Sequence, residues 1–374
     1  MEIKVGKKVI SEDEMPLVVA EAGVNYYEIA KKLNIDLIEA AKLMVKYAAE
    51  SGADAIKFQT YKAEKLASRY SPAYWNLQKE ETKSQYKLFG KYDKFGEEEY
   101  KELAKYARSK GIIFLSTPFY EEAVDFLNEI VPAFKISSSD ITNIPFLRYI
   151  AEKRKPIFLS TGASTIEEIE EAKRVIEEEG NKQIVIMHCV LSYPTNYEDA
   201  NLRRILHLKK AFPENIIGYS DHTKPDQKML VLTTAFLLGA KVIEKHFTLD
   251  KNIPGNDHYH SMDPQDLMNF MENLRFLEKI LGKQGRRLSK SETLGRKYAR
   301  RSVVAKINMK KGTKITLRML ALKRPGTGIS PKYLKSLVGM TAKKTIKKDV
   351  PLMWGDLENK GVKTGRKNEG HRCS

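Results

Sequence analysis

Cysteine is almost missing from this chain: there are two in 374 residues, Cys189 at the end of an apolar run and Cys373 next to the last residue. So few thiols argue against a disulfide framework and suit a reducing compartment. Long apolar runs are missing too. None approaches the roughly 20 residues that span a bilayer, so no membrane association is expected. The opening Met1-Glu2-Ile3-Lys4 lacks the basic and apolar regions of a signal peptide, and a cytoplasmic address is expected. Acidic residues fall short, 48 against 65 Lys+Arg, for a formal charge of +17. A positive field concentrates nucleic acid and small anions alike. Here the basic residues are spread along the chain, with no basic-aromatic stripe or nucleic-acid motif. A lysine-rich surface and small anionic substrates are the surviving readings, and no nucleic acid is expected.

What is present is a succession of short runs rich in Val, Ile and Phe at residues 17–23, 55–60, 112–118, 133–138, 156–162, 183–189, 216–222 and 241–247. Runs without alternation read as parallel strands buried on both faces, and eight of them close a (β/α)8 TIM barrel. An open doubly wound sheet also alternates strands with helices, but typically has fewer strands. Ser164-Thr165-Ile166-Glu167 reads as a capping box opening a helix that stops at Gly180; Asp36 precedes a stripe of Leu37, Ala40, Ala41, Met44 and Ala48. The aromatic-rich connection 61–95 is too long for a tight turn and reads equally as an active-face lid or dimer contact, or as a self-packed excursion. The chain is long enough for two domains. A barrel is expected over residues 1–282 and a linker over 283–297. A small β-rich module follows over 298–358, with extended segments 301–305, 314–316, 320–323 and 334–338. A disordered basic tail is expected over 359–374.

A parallel barrel collects its chemistry where the strands end. Here the ends carry Glu21 and Asn25, Lys57 and Gln59, Ser116 and Thr117, Lys135 and Ser138, Ser160 and Thr161, His188, Asp221 and His222, and Glu244 and His246. One polar end is routine, but polar groups at every end form a convergent cluster. Lys57, Lys135, Ser138 and Ser160 combine point charges with hydroxyl donors, which suits a phosphate or carboxylate; each lysine alone has the plainer reading of a partner for a nearby carboxylate. His222 and His246 offer two imidazoles from neighbouring strands, the donors a first-row divalent ion prefers, whereas a lone histidine is usually structural. In Pro254-Gly255-Asn256-Asp257-His258-Tyr259-His260-Ser261, the i, i+2 spacing of the histidines does not imply shared ligation, and Asp257 is the stronger site candidate.

The same residues fall into recognisable motifs: Glu21-Ala22-Gly23-Val24-Asn25, Ile56-Lys57-Phe58-Gln59, Ser116-Thr117-Pro118-Phe119, Lys135-Ile136-Ser137-Ser138, Leu159-Ser160-Thr161-Gly162, His188-Cys189 with Tyr193-Pro194, Ser220-Asp221-His222-Thr223 and Glu244-Lys245-His246-Phe247-Thr248. In this order they resemble the sialic acid (N-acetylneuraminate) synthase family, which includes legionaminate and pseudaminate synthases. Arg300-Arg301-Ser302 and Lys323-Arg324-Pro325-Gly326-Thr327-Gly328 resemble that family's C-terminal antifreeze-like (SAF) domain. The resemblance implies condensation of phosphoenolpyruvate with an open-chain N-acetylated amino sugar, giving a nonulosonic acid and phosphate. It places phosphoenolpyruvate against Lys57, Thr117, Lys135, Ser138, Ser160 and Ser220, with Gln59 also binding substrate. His222 and His246 would hold the divalent metal, usually Mn²⁺, with Mg²⁺ or Co²⁺ as alternatives. Glu21, Asp140, Tyr193, Glu244 and Asp257 would line the sugar and water side, and Arg324 would reach the sugar from the partner in a domain-swapped homodimer.

Tyr26, Leu191 and Asp140 stand where relatives carry histidine, asparagine and glutamate, which leaves the sugar open between N-acetylmannosamine and a diacetamido-trideoxyhexose. A Schiff-base lyase using Lys57, Lys135 or Lys245 is a second reading. A non-catalytic carbohydrate binder is a third.

Overall fold

The computed structural model describes every residue except 76, 79, 256, 283–287 and 360–374. The chain divides into two compact units, Met1–Gly282 and Lys283–Ser374. In the first, eight parallel strands form one sheet: β1 (Leu17–Gly23), β2 (Ala55–Thr60), β3 (Ile113–Pro118), β4 (Phe134–Ile136), β5 (Ile157–Ser160), β6 (Ile184–Cys189), β7 (Ile216–Asp221) and β8 (Val242–His246). The ladder runs β3-β2-β1-β8-β7-β6-β5-β4, and its two ends, β3 and β4, lie side by side. This is the TIM-like barrel that the eight runs predict.

Strand period decides what faces the barrel axis. Every second residue points inward, and these positions are apolar low in the barrel and polar at its top. Leu17 and Val19 lead to Glu21, Ala55 to Lys57, Ile113 and Leu115 to Thr117, Ala133 to Lys135, Phe158 to Ser160, and Val242 to Glu244 and His246. The lower residues form one buried cluster. The alternate set, including Val18, Ala20, Ile56, Phe58, Phe134, Leu159, Ile186 and Ile243, packs outward against the helices. Each strand is therefore apolar on both faces until its last residues.

An antiparallel hairpin, Ile3–Val5 with Lys8–Ile10, joins Ile3, Val5 and Ile10 to the lower interior cluster and so closes the bottom of the barrel. The sequence reading missed it. Helix Leu37–Glu50 buries Ala40, Ala41, Met44 and Ala48 of the predicted stripe and leaves Leu37 half-buried. The capping box sits one residue later than predicted: the Thr165 hydroxyl accepts from the Glu168 N–H, and the Glu168 carboxylate accepts from the Thr165 N–H. Ser164 instead donates to the Gly162 carbonyl. The 61–95 connection holds two short helices, Ala63–Leu66 and Gln85–Phe89. Its aromatics divide, with Tyr61 buried against Phe89 and Phe119 and Tyr70 almost wholly exposed.

In the second unit Ser302–Ala305 pairs antiparallel with Leu320–Lys323, and Thr341–Ala342 with Leu357–Glu358, around Val303, Met309, Ile315, Leu337 and Leu352. Two expectations are corrected. Residues 334–338 belong largely to a 3-10 helix, Pro331–Leu337, opened by proline and inserting only Leu337 fully into the core. Residues 314–316 contribute an isolated bridge, Lys314 to Thr341. The linker expected over 283–297 contains most of a helix, Glu292–Ala299. Residues 283–287 of that linker, and the tail from 360 on, lie outside the described residues.

Candidate active site

The polar tops of the strands converge on one cleft of about 50 Å³, lined by Glu21, Lys57, Gln59, Thr117, Lys135, Ser138, Ser160, Cys189, Tyr193, Ser220, His222, Glu244 and His246 among others. Lys57 is paired with Glu21, donates to Thr117 Oγ1 at 3.0 Å, and lies 3.7 Å from Glu244. Lys135 lies 3.8 Å from Glu244. Gln59 donates to Glu21 at 3.1 Å and Ser220 to Glu244 at 3.1 Å.

Burial would neutralise such groups, and their neighbours decide the outcome. Burial pulls the Lys57 ammonium down, but Glu21 and Glu244 outweigh it and leave it above the ordinary lysine range. Lys135 falls below that range because burial prevails over Glu244. Glu244 is held low because Lys135 and Lys57 overcome its burial. Glu21 is pushed up to about 7: its burial, with the Glu244 charge added, outweighs Lys57. The cleft therefore sets two cations beside an ionised carboxylate and a second carboxyl titrating near neutrality.

Two imidazoles complete the wall. His222 Nδ1 lies 2.7 Å from the Val190 carbonyl, so that nitrogen carries the proton and only Nε2 is available. Its ring sits 5.4 Å from that of His246 and 4.1 Å from that of Tyr193, centroid to centroid. Burial, then the charges of His260 and His222, hold His246 well below the ordinary histidine range, so it is neutral. Among the described residues His246 Nδ1 and both nitrogens of His260 are buried without a hydrogen-bond partner. Such atoms are costly unless something binds them. His246, Asp257 and His260 each place one donor atom within 4.8 Å of the others. This donor set fits a divalent cation.

Asp257 is half-buried, and desolvation pushes its carboxyl up to about 6. Asp140 is not among the residues that line the cleft, though its neighbours Ser137 and Ser138 are; it lies in the 3-10 turn Ser138–Asp140 with Asn143 and Ser139 as partners. Arg324 is an exposed residue of the second unit, following Leu320–Lys323. Tyr26 is part of the core, stacked on Phe95 and tilted against Tyr27, and is not among the residues that line the cleft. His188 is structural, stacked on Tyr219 and bonded to the Ala200 carbonyl. Asp221 is fully engaged by Tyr219, Thr223 and Lys245.

Three residues escaped the sequence reading as parts of the site. Cys189 lies 3.8 Å from His222 Nδ1; despite burial its thiol is lowered by His222 and Lys135. The Gly162 N–H donates to Ser138 Oγ at 2.8 Å, an approach that a Cβ, only 2.8 Å from that oxygen, would block. His260 is the third. Of these only the glycine, two residues beyond a strand end, left a signal in the sequence. An apolar groove lined by Ile29, Leu33, Leu43 and Tyr47 lies elsewhere and gathers no such chemistry.

Comparison with known proteins adds to this geometry. The profile of the NeuB family matches residues 44–286, and that of the SAF domain residues 300–358. An uncharacterized protein of Methanocaldococcus jannaschii is 43% identical, over 95% of this chain and 98% of its own. The N,N'-diacetyllegionaminic acid synthase of Legionella pneumophila is 38% identical, over 91% of this chain and 94% of its own. The crystal structure of the spore coat polysaccharide biosynthesis protein SpsE of Bacillus subtilis superposes with a TM-score of 0.62 at 33% identity, covering 96% of this chain and all of that one.

Proposed function

This chain belongs to the NeuB family, and from that membership we propose that it condenses phosphoenolpyruvate with an open-chain N-acetylated amino sugar, forming a nonulosonic acid and releasing phosphate. The observation that carries the reading is the pair of buried lysines, Lys57 and Lys135, flanking Glu244 in one cleft with His222 and His246. Lys57, Lys135, Ser138, Ser160 and Thr117 hold the phosphate and carboxylate of the enol. Anion binding there offsets the cost of burying two ammonium groups. Ser160 Oγ, buried without a partner among the described residues, is one such donor.

His222 and His246 would hold a divalent cation, Mn²⁺ on the family resemblance, which would polarise the acceptor's aldehyde oxygen. C3 of the enol then attacks the aldehyde carbon, and positive charge develops at C2. Glu244, kept ionised by the two lysines, stabilises that charge. Glu21 in its anionic form takes a proton from the water that adds at C2. The proton taken by Glu21 passes to the alkoxide formed from the aldehyde oxygen; the tetrahedral adduct then breaks the C2–O bond to phosphate, and the C2 hydroxyl proton leaves with the phosphate as the 2-keto group forms. Arg324 of a partner subunit, in a swapped dimer, contacts the N-acetyl group. The reaction uses soluble substrates, and among the described residues no helix is long and apolar enough to cross a membrane.

Phosphate release is the test. The protein, phosphoenolpyruvate and Mn²⁺ are incubated with N-acetylmannosamine or with diacetamido-trideoxyhexoses, and one acceptor should give stoichiometric phosphate that a chelator abolishes. The rival route predicts that borohydride traps a pyruvate adduct on a lysine. Lys135, whose ammonium burial destabilises, is the one to find labelled. Lys245 is tied to Asp221 and to the Thr223 carbonyl, which disfavours it as a nucleophile.

A further inference from the structure

We propose that His260 is a third nitrogen ligand of the site's divalent cation beside His222 and His246, forming with His246 and Asp257 a close set of two imidazoles and one carboxylate; this rests on the metal-dependent reading above. The short turn His258–His260 presents two histidines with opposite fates. His258 is anchored through one nitrogen: its Nδ1 lies 2.7 Å from Thr248 Oγ1, while its Nε2, without a hydrogen bond among the described residues, faces Glu28 at 3.5 Å. His260, two residues on, is wholly buried, and among the described residues neither of its nitrogens finds a hydrogen-bond partner. A core histidine without a ligand satisfies at least one nitrogen, because an orphaned buried polar atom costs about 1–3 kcal/mol.

The geometry gives those nitrogens a destination. The His260 ring lies 5.0 Å from that of His246, and the three donor atoms of His246, Asp257 and His260 lie within 4.8 Å of one another. A first-row ion holds such donors at about 2.1 Å and so keeps them within about 4.2 Å of one another. Side-chain shifts of a few tenths of an ångström close the set. The sequence concealed this because His258 and His260 are two apart. Their divergence is what allows one to serve the fold while the other turns to the site. These imidazole and carboxylate donors leave positions open for substrate, and nitrogen donors favour Co²⁺ over Mn²⁺, and both over Mg²⁺.

Metal binding itself tests the assignment, independently of turnover. Full-length protein stripped with chelator is titrated with Co²⁺ by calorimetry and followed by its visible absorption, in the wild type, His260→Ala and His260→Gln. Thermal melts of the stripped proteins identify any variant that fails to fold. The expected result is a single Co²⁺ site in the wild type, with affinity weakened about tenfold or more in both variants, the effect typical of losing even a supporting group, and with an altered visible spectrum. Unchanged affinity and spectrum in a folded variant would overturn the assignment while leaving the metal-dependent reading intact. Failure of the wild type to bind Co²⁺ at all, by contrast, would sink both.

Discussion

At Glu21, burial and the neighbouring Glu244 charge outweigh the pull of Lys57, and the carboxyl titrates at about 7. The working base is the anion, whose fraction falls as pH drops through that value. The pH profile of kcat/KM should therefore show an acidic limb near 7. In Glu21→Gln the limb should vanish and kcat should fall by roughly 10²–10⁴, the range of general-base catalysis. A limb that persists in the variant assigns the titration to another group. Gly162→Ala makes a different point: a Cβ lies 2.8 Å from Ser138 Oγ and 3.2 Å from the Leu191 nitrogen. Overpacking of this kind costs about 1–3 kcal/mol, and displacement of Ser138 should raise KM for phosphoenolpyruvate more than it lowers kcat. At this scale Lys57, Lys135, His222 and His246 were legible as candidates because polar groups stand at the end of every apolar run, although His188 and Lys245, at the same kind of position, are tied up within the fold. Cys189 and His260 were not. A cysteine ending a strand and a histidine in a loop are ordinary until their neighbours are known.

Elements were legible where an uninterrupted apolar run marked them. The barrel strands stood out as apolar runs because outward positions meet helices and inward ones meet the interior, so no alternation survives. The N-terminal hairpin did not, since its strands, Ile3–Val5 and Lys8–Ile10, include lysines and exposed positions and so form no apolar run. Its importance is nevertheless large: Ile3, Val5 and Ile10 are almost completely buried in the lower barrel. Ile10→Ala should cost about 2–5 kcal/mol, read as a lower urea midpoint, while kcat/KM at moderate temperature stays near wild type because the cleft lies at the opposite end. A loss of activity equal to the loss of stability would show that the hairpin reaches the site after all. The second unit taught the reverse lesson. Residues 334–338 carry apolar side chains that suggested a strand, but Ser330-Pro331 starts a 3-10 helix and only Leu337 is fully buried.

For the whole molecule, the proposal that Arg324 serves a partner's cleft makes a prediction that no single variant can. Glu21→Gln damages the barrel and Arg324→Ala the second unit, so each homodimer is impaired at both of its sites. Co-expressed, they form mixed dimers in which an intact barrel meets an intact Arg324 from the other chain. Activity above the sum of the separate variants is expected if the arginine acts in trans, and simple addition if it acts within its own chain. The formal charge of +17 bears on encounter: a positive field steers an anionic enol phosphate, so kcat/KM should decline as salt rises.

The sequence by itself determined the barrel and the chemical class of its upper rim, because strand period and burial require apolar residues at every inward position except where something other than packing is selected. Only the tertiary structure decided which of those polar groups meet and how they are charged. Glu21 near 7, Glu244 held ionised between two lysines, and His260 turned toward His246 while His258 turned away are outcomes of distance and desolvation. Those quantities arise between residues that lie far apart along the chain, and no spacing rule within one strand or loop encodes them.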